Sequence, residues 1–522
     1  MDSLVALILL LPLAGAFSIG IGQLFGKLHG EAGEALTANI ATWAIALSFL
    51  SALALLSSDL LGKNAGSFSA GSWLGSNALN IEMNFITTGF NAGLATLFSL
   101  LLVIVTRFSI NYIHKEPGFH RFFFVLSLFS SAMLLLVLSG NAVGTFIGWE
   151  IAGLCSYLLI AFAYDRPIAA INATRVFVTN RIGDAGFILG IALCYTLVGS
   201  VNWSSLNSGA PQLTTGTATV IALCFATAAF AKSAQLPFTP WLARAMEGPT
   251  PSSAIFYGAV MIHAGIFLII MLRPLFEQAP FAMGLLAAVG LATAVYSFIV
   301  GLTQTDVKSS LSFAISGQLG LMFLECGLGF WQLATWHLCA HAVVRGYQIL
   351  TAPSFLHYVH GNPMKPVGRD IAGLRWVYVA SLQRFWLDPV VDRILIRPTY
   401  GLAKDLDYFD DHIVDRIMGA PAPAGRAISS LAQLEEKVLR TQFGEDTGTF
   451  GRGNGWAARF LEWLAVIMSW FEERLVLQGI GMDAIDMGRK LGYAANKFEK
   501  LILKPRYLVL FVFTVLLFAA SL

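Results

Sequence analysis

Charge is what this sequence has least of. Asp, Glu, Lys and Arg make up 12% of its 522 residues, against 56% hydrophobic, which excludes an ordinary soluble domain and indicates a polytopic membrane protein. The 33 Lys and Arg nearly balance the 31 Asp and Glu, for a formal net charge of +2, so nothing argues for nucleic acid. Cysteine is scarce too. Cys155, Cys194, Cys224, Cys326 and Cys339 lie in apolar stretches without C-x-x-C spacing and read as small apolar filler, with no metal-ligand set. No nucleotide loop, hydrolase elbow or metal cluster occurs, so no catalytic centre is expected in this chain. The first apolar run, Leu4–Gly22, lacks a basic leading region and a clear Ala-x-Ala cleavage signal, and reads as a retained helix.

What is present is a series of apolar runs. They recur at about 4–24, 35–57, 85–106, 121–138, 141–163, 171–198, 217–237, 252–272, 282–303, 309–327 and 331–350, which predicts an all-α bundle of about eleven spanning helices. The composition then shifts. Residues 353–506 hold 20 of the 33 Lys and Arg and 18 of the 31 Asp and Glu, and a short apolar run, Tyr507–Leu522, follows. Three parts are expected: a transmembrane core over 1–350, an amphipathic segment over 351–506, and a C-terminal membrane anchor over 507–522. Alternate loops of the core carry Lys27, Arg107, Lys115, Arg121, Arg166, Arg244 and Lys308, whereas the other set carries Lys63 and Arg273. Basic loops stay inside, so the N-terminus is expected outside and residues 351–506 in the cytoplasm. Phe385–Pro398 and Trp456–Leu475 repeat apolar residues at helical spacing and read as helices lying on the membrane face or on a partner. Pro421 and Pro423 separate these pieces, and Gly444–Gly455 is a polar loop.

A few charges lie inside the apolar runs. Lys232 is the most informative, because a charge near the bilayer centre costs about 3 kcal/mol on insertion scales and is kept where it is used. Pro237 follows it, which predicts a helix broken near 232–240. Glu150 follows Gly148 and Trp149; Arg175, Arg181 and Asp184 sit in the next helix, where Arg181 and Asp184 are three apart and can pair. Burial disfavours the charged form of Lys232 and of Glu150 alike, while their mutual attraction favours it, and a path residue balances the two. A static ion pair that fixes helix packing is the plainer alternative. His337, His341 and Arg345 fall at i, i+4 and i+8 on one helix face, and His263 lies in another spanning helix; such histidines relay protons or are simply hydrogen-bonded. Asp306 and Lys308 stand at a helix start, and Glu325 has no partner evident in the sequence.

These motifs form a pattern. Asn111–Phe119, Gly148-Trp149-Glu150 and the run to Ile160, Asn180-Arg181-Ile182-Gly183-Asp184, Lys232-Ser233-Ala234-Gln235-Leu236-Pro237, Gly248-Pro249-Thr250-Pro251, Gln304–Lys308 and His337-x-x-x-His341 resemble the antiporter-like subunits of respiratory complex I, subunit L above all, and of Mrp-type cation antiporters. The resemblance covers about residues 100–345 and implies that Glu150 and Lys232 form a central ion pair and that Lys308 belongs to a hydrophilic axis. Two positions depart from it: Tyr257 stands where the family has a histidine, and Arg345 where it has a lysine. Arginine does not release its proton, so Arg345 could not shuttle one.

A core that gives way near residue 350 to a charged segment is similar to DabB, the membrane subunit of two-component inorganic-carbon uptake complexes. That resemblance implies an ion-translocating coupling subunit in a bacterial inner membrane, driven by H⁺ or Na⁺ and not an enzyme by itself. It would energise CO₂ hydration to bicarbonate on a zinc-containing, carbonic-anhydrase-like DabA partner. The zinc would belong to the partner; no cofactor or metal site is expected here. The alternatives are a subunit of a complex I-like or Mrp-type assembly, and a membrane anchor that conducts nothing. Ion-translocation candidates are Glu150, Arg175, Asp184, Lys232, His263, Lys308, His337, His341 and Arg345.

Overall fold

A helix satisfies its own backbone hydrogen bonds, which is the condition an apolar run must meet inside a bilayer. The computed structural model describes residues 2–63, 66–75, 80–304, 306–352 and 375–410. In chain order its elements are α1 (Asp2–Leu24), α2 (Gly30–Leu60), β1 (Ser67–Gly75), β2 (Asn80–Ile86), α3 (Gly89–Tyr112), α4 (Phe119–Leu138), α5 (Ala142–Ile160), α6 (Pro167–Val198), α7 (Trp203–Gly209), α8 (Thr215–Lys232), α9 (Pro240–Arg244), α10 (Thr250–Ser253), α11 (Ala264–Met271), α12 (Arg273–Glu277), α13 (Pro280–Gly301), α14 (Val307–Gly327) and α15 (Trp331–Thr351). Beyond residue 374 come α16 (Arg375–Leu382), α17 (Leu387–Val391) and α18 (Arg397–Phe409). Among the described residues, ten stretches are long and apolar enough to cross a membrane, which makes this a multi-pass membrane protein. The eleventh, α15, is as long at 21 residues but less apolar, because it carries His337, His341 and Arg345.

The chain divides into two compact units, Met1–Ile396 and Arg397–Leu522. In the second, α18 is described, and none of its side chains is buried. The expected helix at Trp456–Leu475, the loop Gly444–Gly455, Pro421 and Pro423, and the anchor over 507–522 lie outside the described residues.

Three features of the first unit go beyond the apolar pattern. The first is an antiparallel hairpin of β1 and β2, with Phe68 opposite Phe85. Ile81, Met83 and Phe85 alternate as a strand requires, over a stretch too short to register as a span. Its anchor is a set of asparagines: Asn141 Nδ2 donates to Asn84 Oδ1 at 2.6 Å and to the Glu82 carbonyl at 2.8 Å, and Asn84 Nδ2 donates to Asn202 Oδ1 at 3.1 Å. Asn141 also caps α5, accepting from Gly144 N at 2.7 Å.

The second is a break in the run expected to be one helix over 252–272. Between α10 and α11 the chain forms a π-helical stretch, Ala254–Ala259, then a 3₁₀ turn, Met261–His263. Such stretches free main-chain groups, and here Ile262 O accepts from Ser233 Oγ at 2.7 Å.

The third is the segment 375–396, called the strap below. Phe385–Pro398, expected as one amphipathic helix, is interrupted by positive φ at Arg384, Phe385 and Trp386. The strap makes contacts with this chain's own core. Ser381 Oγ donates to Ile299 O at 2.9 Å, Tyr296 Oη donates to Arg384 O at 3.2 Å, and the Arg384 guanidinium stands 5.4 Å above the Phe313 ring.

Candidate ion path

The expected break after Lys232 is present. Helix α8 ends at Lys232, the chain turns through Ser233–Thr239 with a cis peptide before Pro237, and α9 resumes at Pro240. The freed main-chain groups are taken up by neighbours: Trp241 Nε1 donates to Ala231 O at 2.8 Å, Ser316 Oγ to Ala234 O at 3.0 Å, and Leu236 N to Thr293 Oγ1 at 3.0 Å. Lys232 is thus held in the last turn of its helix in the protein interior, 1% exposed, the end that favours a cation.

Four charges gather there from three helices. Arg181 of α6 bonds Glu150 of α5, and its Nη2 lies 2.7 Å from Asp184 Oδ2, the i, i+3 pair the spacing predicts. Asp184 Oδ1 accepts from Trp149 Nε1 at 2.6 Å. Lys232 Nζ donates to the Trp149 carbonyl at 3.0 Å and sits 5.0 Å from the Trp149 ring centroid. Glu150 therefore touches Arg181 and not Lys232; Asp184, Arg181 and Glu150 act on the lysine through space. Two cations and two carboxylates balance when all are ionised, which lowers the cost of their burial. Arginine keeps its proton, so Lys232 is the cation of the four that can give one up. Gly153 makes room for this meeting, since a Cβ there would lie 3.2 Å from both Arg181 Nη2 and Lys232 Nζ. Gly148 lets α5 approach α4, where a Cβ would come within 2.6 Å of Ala132 O and Leu136 N.

The histidines form a second group. His263 Nε2 and His341 Nδ1 are 2.8 Å apart, and the His337 and His341 rings are 6.2 Å apart between centroids. His337 Nδ1 lies 2.9 Å from Glu325 Oε1, and its Nε2 lies 2.9 Å from Gln318 Oε1. Sequence reading gave Glu325 no partner; the partner comes from the next helix, twelve residues on. Arg345 Nη1 donates to Gln348 Oε1 on its own helix at 2.7 Å. Tyr257, standing in for the family's histidine, is buried and donates to Ala245 O at 3.0 Å.

Lys308 is at the end of the bundle that carries the basic loops. Its Nζ donates to Thr250 Oγ1 at 2.5 Å, and Thr250 Oγ1 is 2.8 Å from Tyr112 Oη. Arg175 lies away from the Lys232 group, paired with Asp392 of the strap at 2.5 Å, and Arg244 pairs with Asp388 at 2.7 Å. The sequence gives no sign that either strap aspartate has an arginine partner in the core, because each sits among many charges between 353 and 506. Among the described residues no group of three or more His, Cys, Asp and Glu could hold a metal ion.

Comparison with known proteins gives the chain's family. Residues 139–377 match the family described as NADH:quinone oxidoreductase/Mrp antiporter, TM, and residues 73–123 match the N-terminus of complex I chain 5. The chain is 31% identical over 478 residues to NADH-quinone oxidoreductase subunit L of Mycobacterium tuberculosis, covering 89% of this chain and 73% of that protein. It is 36% identical over 357 residues to NAD(P)H-quinone oxidoreductase chain 5 of Picosynechococcus sp., covering 67% and 54% respectively. Against that protein and its chloroplast counterparts the chain spans about half their length. In fold it resembles a chain of the Mrp complex from Dietzia sp., with a TM-score of 0.59 at 22% identity over 98% of this chain and 62% of that one. It also resembles a chain of the membrane-bound sulfane sulfur reductase, an archaeal respiratory membrane complex, with a TM-score of 0.57 at 19% identity over 90% and 93%. By its sequence matches, this chain belongs to the antiporter-like membrane subunit family of complex I subunit 5/L and the Mrp antiporters.

Proposed function

We propose that this chain translocates H⁺ or Na⁺ across the membrane and couples that flow to work done by a partner protein. The observation that carries this reading is Lys232, fully buried at a helix break and grouped with Glu150, Arg181 and Asp184. A lysine in the middle of a membrane protein, held by a carbonyl and a ring face, keeps a charge that can move. The path residues are Glu150, Asp184, Lys232, His263, His337, His341 and Lys308, with Arg175 and Arg345 at its margins. Buried polar atoms without a hydrogen-bond partner among the described residues recur along it, among them Glu150 Oε1, Gln235 Oε1 and His341 Nε2, as suits a seam that admits water.

The work we assign is inorganic-carbon uptake. The chain is the membrane subunit, with a core over 1–350, a cytoplasmic segment over 351–506 and an anchor over 507–522. A zinc-containing DabA-like partner hydrates CO₂ to bicarbonate at the expense of the ion gradient. What supports this finer reading is the order of the parts, an antiporter-like core followed directly by a long charged segment. A second reading, a subunit of a complex I-like or Mrp-type assembly, is favoured by the names of the relatives. The test is to capture the tagged full chain from its native membrane and to identify what accompanies it, with metal analysis. One large zinc-bearing partner supports carbon uptake, whereas a set of small membrane subunits overturns it in favour of the second reading.

A further inference from the structure

The α14–α15 corner carries a carboxylate, Glu325, that the path above does not use. Glu325 lies two residues before the end of α14, and His337 lies about 9 Å into α15 at 1.5 Å per residue. The Arg273 guanidinium stands 5.9 Å from the Trp331 ring, so this corner is at the same end of the bundle as the turn after α11. Lys308, at the opposite end of α14, bonds Thr250 among the basic loops. His341 is about 15 Å along α15, halfway through a hydrocarbon layer of roughly 30 Å. Glu325, His337, His341 and His263 thus descend from the outer end of the bundle to its middle.

The hydrogen bonds fix how protons sit in this series. Gln318 presents an oxygen to His337 Nε2, so that nitrogen carries a hydrogen. The Nδ1···Oε1 contact of 2.9 Å then holds one proton between imidazole and carboxyl, as imidazolium and carboxylate or as imidazole and carboxylic acid. Likewise the 2.8 Å contact between His263 Nε2 and His341 Nδ1 holds one proton between two rings. Helices α11 and α13, packed against α14, contain no Asp, Glu, Lys, Arg or His, so His337 is the ionisable partner Glu325 meets there. Glu325 and His337 are partly open, with side chains 16% and 20% exposed, whereas His263 and His341 are buried. Glu325 Oε2 has no hydrogen-bond partner among the described residues.

We infer that Glu325 and His337 form the outer mouth of the path, and that Glu325 is the group through which a proton passes between the buried His263–His341 pair and the outer aqueous face. This rests on the translocation reading above and assigns protons as its cargo. No bond other than O–H and N–H is made or broken, and each transfer leaves one proton fewer on the donor and one more on the acceptor.

The test uses the assembly captured on the tagged full chain, reconstituted in liposomes, with a proton gradient imposed and internal pH read by a trapped dye. Glu325→Gln keeps an oxygen for His337 but cannot bind or release a proton; it is expected to slow proton movement about tenfold or more, while Glu325→Asp restores most of it. If Glu325→Gln moves protons at the native rate while Lys232→Ala does not, Glu325 is a structural partner of His337 and the mouth is elsewhere, with the translocation reading intact. If the native assembly moves protons no faster than empty liposomes, or Lys232→Ala leaves the rate unchanged, the translocation reading fails and this inference with it. Should Glu325→Gln not assemble, His337→Gln decides: a tenfold loss supports the mouth and a native rate overturns it.

Discussion

Lys232 and Arg181 show how two cations in one buried group divide their roles. Arg181 is ion-paired with both Glu150 and Asp184 and stands 4.6 Å from the Phe177 ring. Lys232 is held by one carbonyl and one ring face. Lys232→Arg keeps the charge but not a proton that can leave. The expected outcome is an assembled complex whose proton movement in liposomes falls at least tenfold; a native rate would show that only the charge matters. Gly148→Ala tests packing instead. Its Cβ would press on main-chain atoms of α4, which cannot rotate away, so a loss of about 1–3 kcal/mol is expected, read as a lower melting temperature in detergent. At this scale much was legible from the sequence. Lys232, Glu150 and Asp184 stand out because charge is rare in apolar runs. Which of them touch was not legible, because pairing depends on how α5, α6 and α8 rotate against each other, and periodicity does not record rotation.

At the level of elements, the two broken helices differ in how plainly they announce themselves. Pro237 marks the first, since proline cannot donate and clashes with a preceding turn. The second, around Ala254–His263, contains no proline, and its break is stabilised from outside by Ser233, which donates to Ile262 O. Tertiary contacts of this kind leave no local trace. The same holds for the strap, whose left-handed turn at Arg384–Trp386 interrupts an apolar repeat that reads as continuous. Its hold on the core is testable. Asp388→Asn with Asp392→Asn removes the charges facing Arg244 and Arg175, pairs whose side chains are 14–28% exposed. Charge-assisted bonds of this sort contribute about 1.5–3 kcal/mol each when buried and less where water screens them. Limited proteolysis is expected to cut within 375–396 faster in the double variant while the bundle stays intact. Asn141→Ala acts at another joint: it removes the cap of α5 and two of the three asparagine hydrogen bonds that anchor the hairpin, and is expected to lower stability by about 2–3 kcal/mol in a thermal melt.

At the scale of the molecule, the helical bundle, with ten spanning stretches among the described residues, follows from composition and apolar periodicity, whereas the hairpin does not, being shorter than any spanning run. The proposed division of labour between this chain and a zinc-bearing partner gives a prediction of its own. If zinc chemistry belongs to the partner, stripping the assembly with a chelator should abolish bicarbonate formation and leave proton movement through Lys232 measurable; loss of both together would place metal and path in one protein.

Trp149 decides which part of the central group is free to swing. Its carbonyl lies within α5, where it already accepts the helix's own N–H, so the departure of Lys232 strands no main-chain group. Its indole N–H has Asp184 as its partner, so the departure of Asp184 would orphan a buried donor at a cost of about 1–3 kcal/mol. The two attachments therefore come undone with unequal ease. Under the proposed translocation, Lys232 is then the hand of this clock and Asp184 part of its face: the ammonium is the group expected to move, while the carboxylate stays where the tryptophan keeps it.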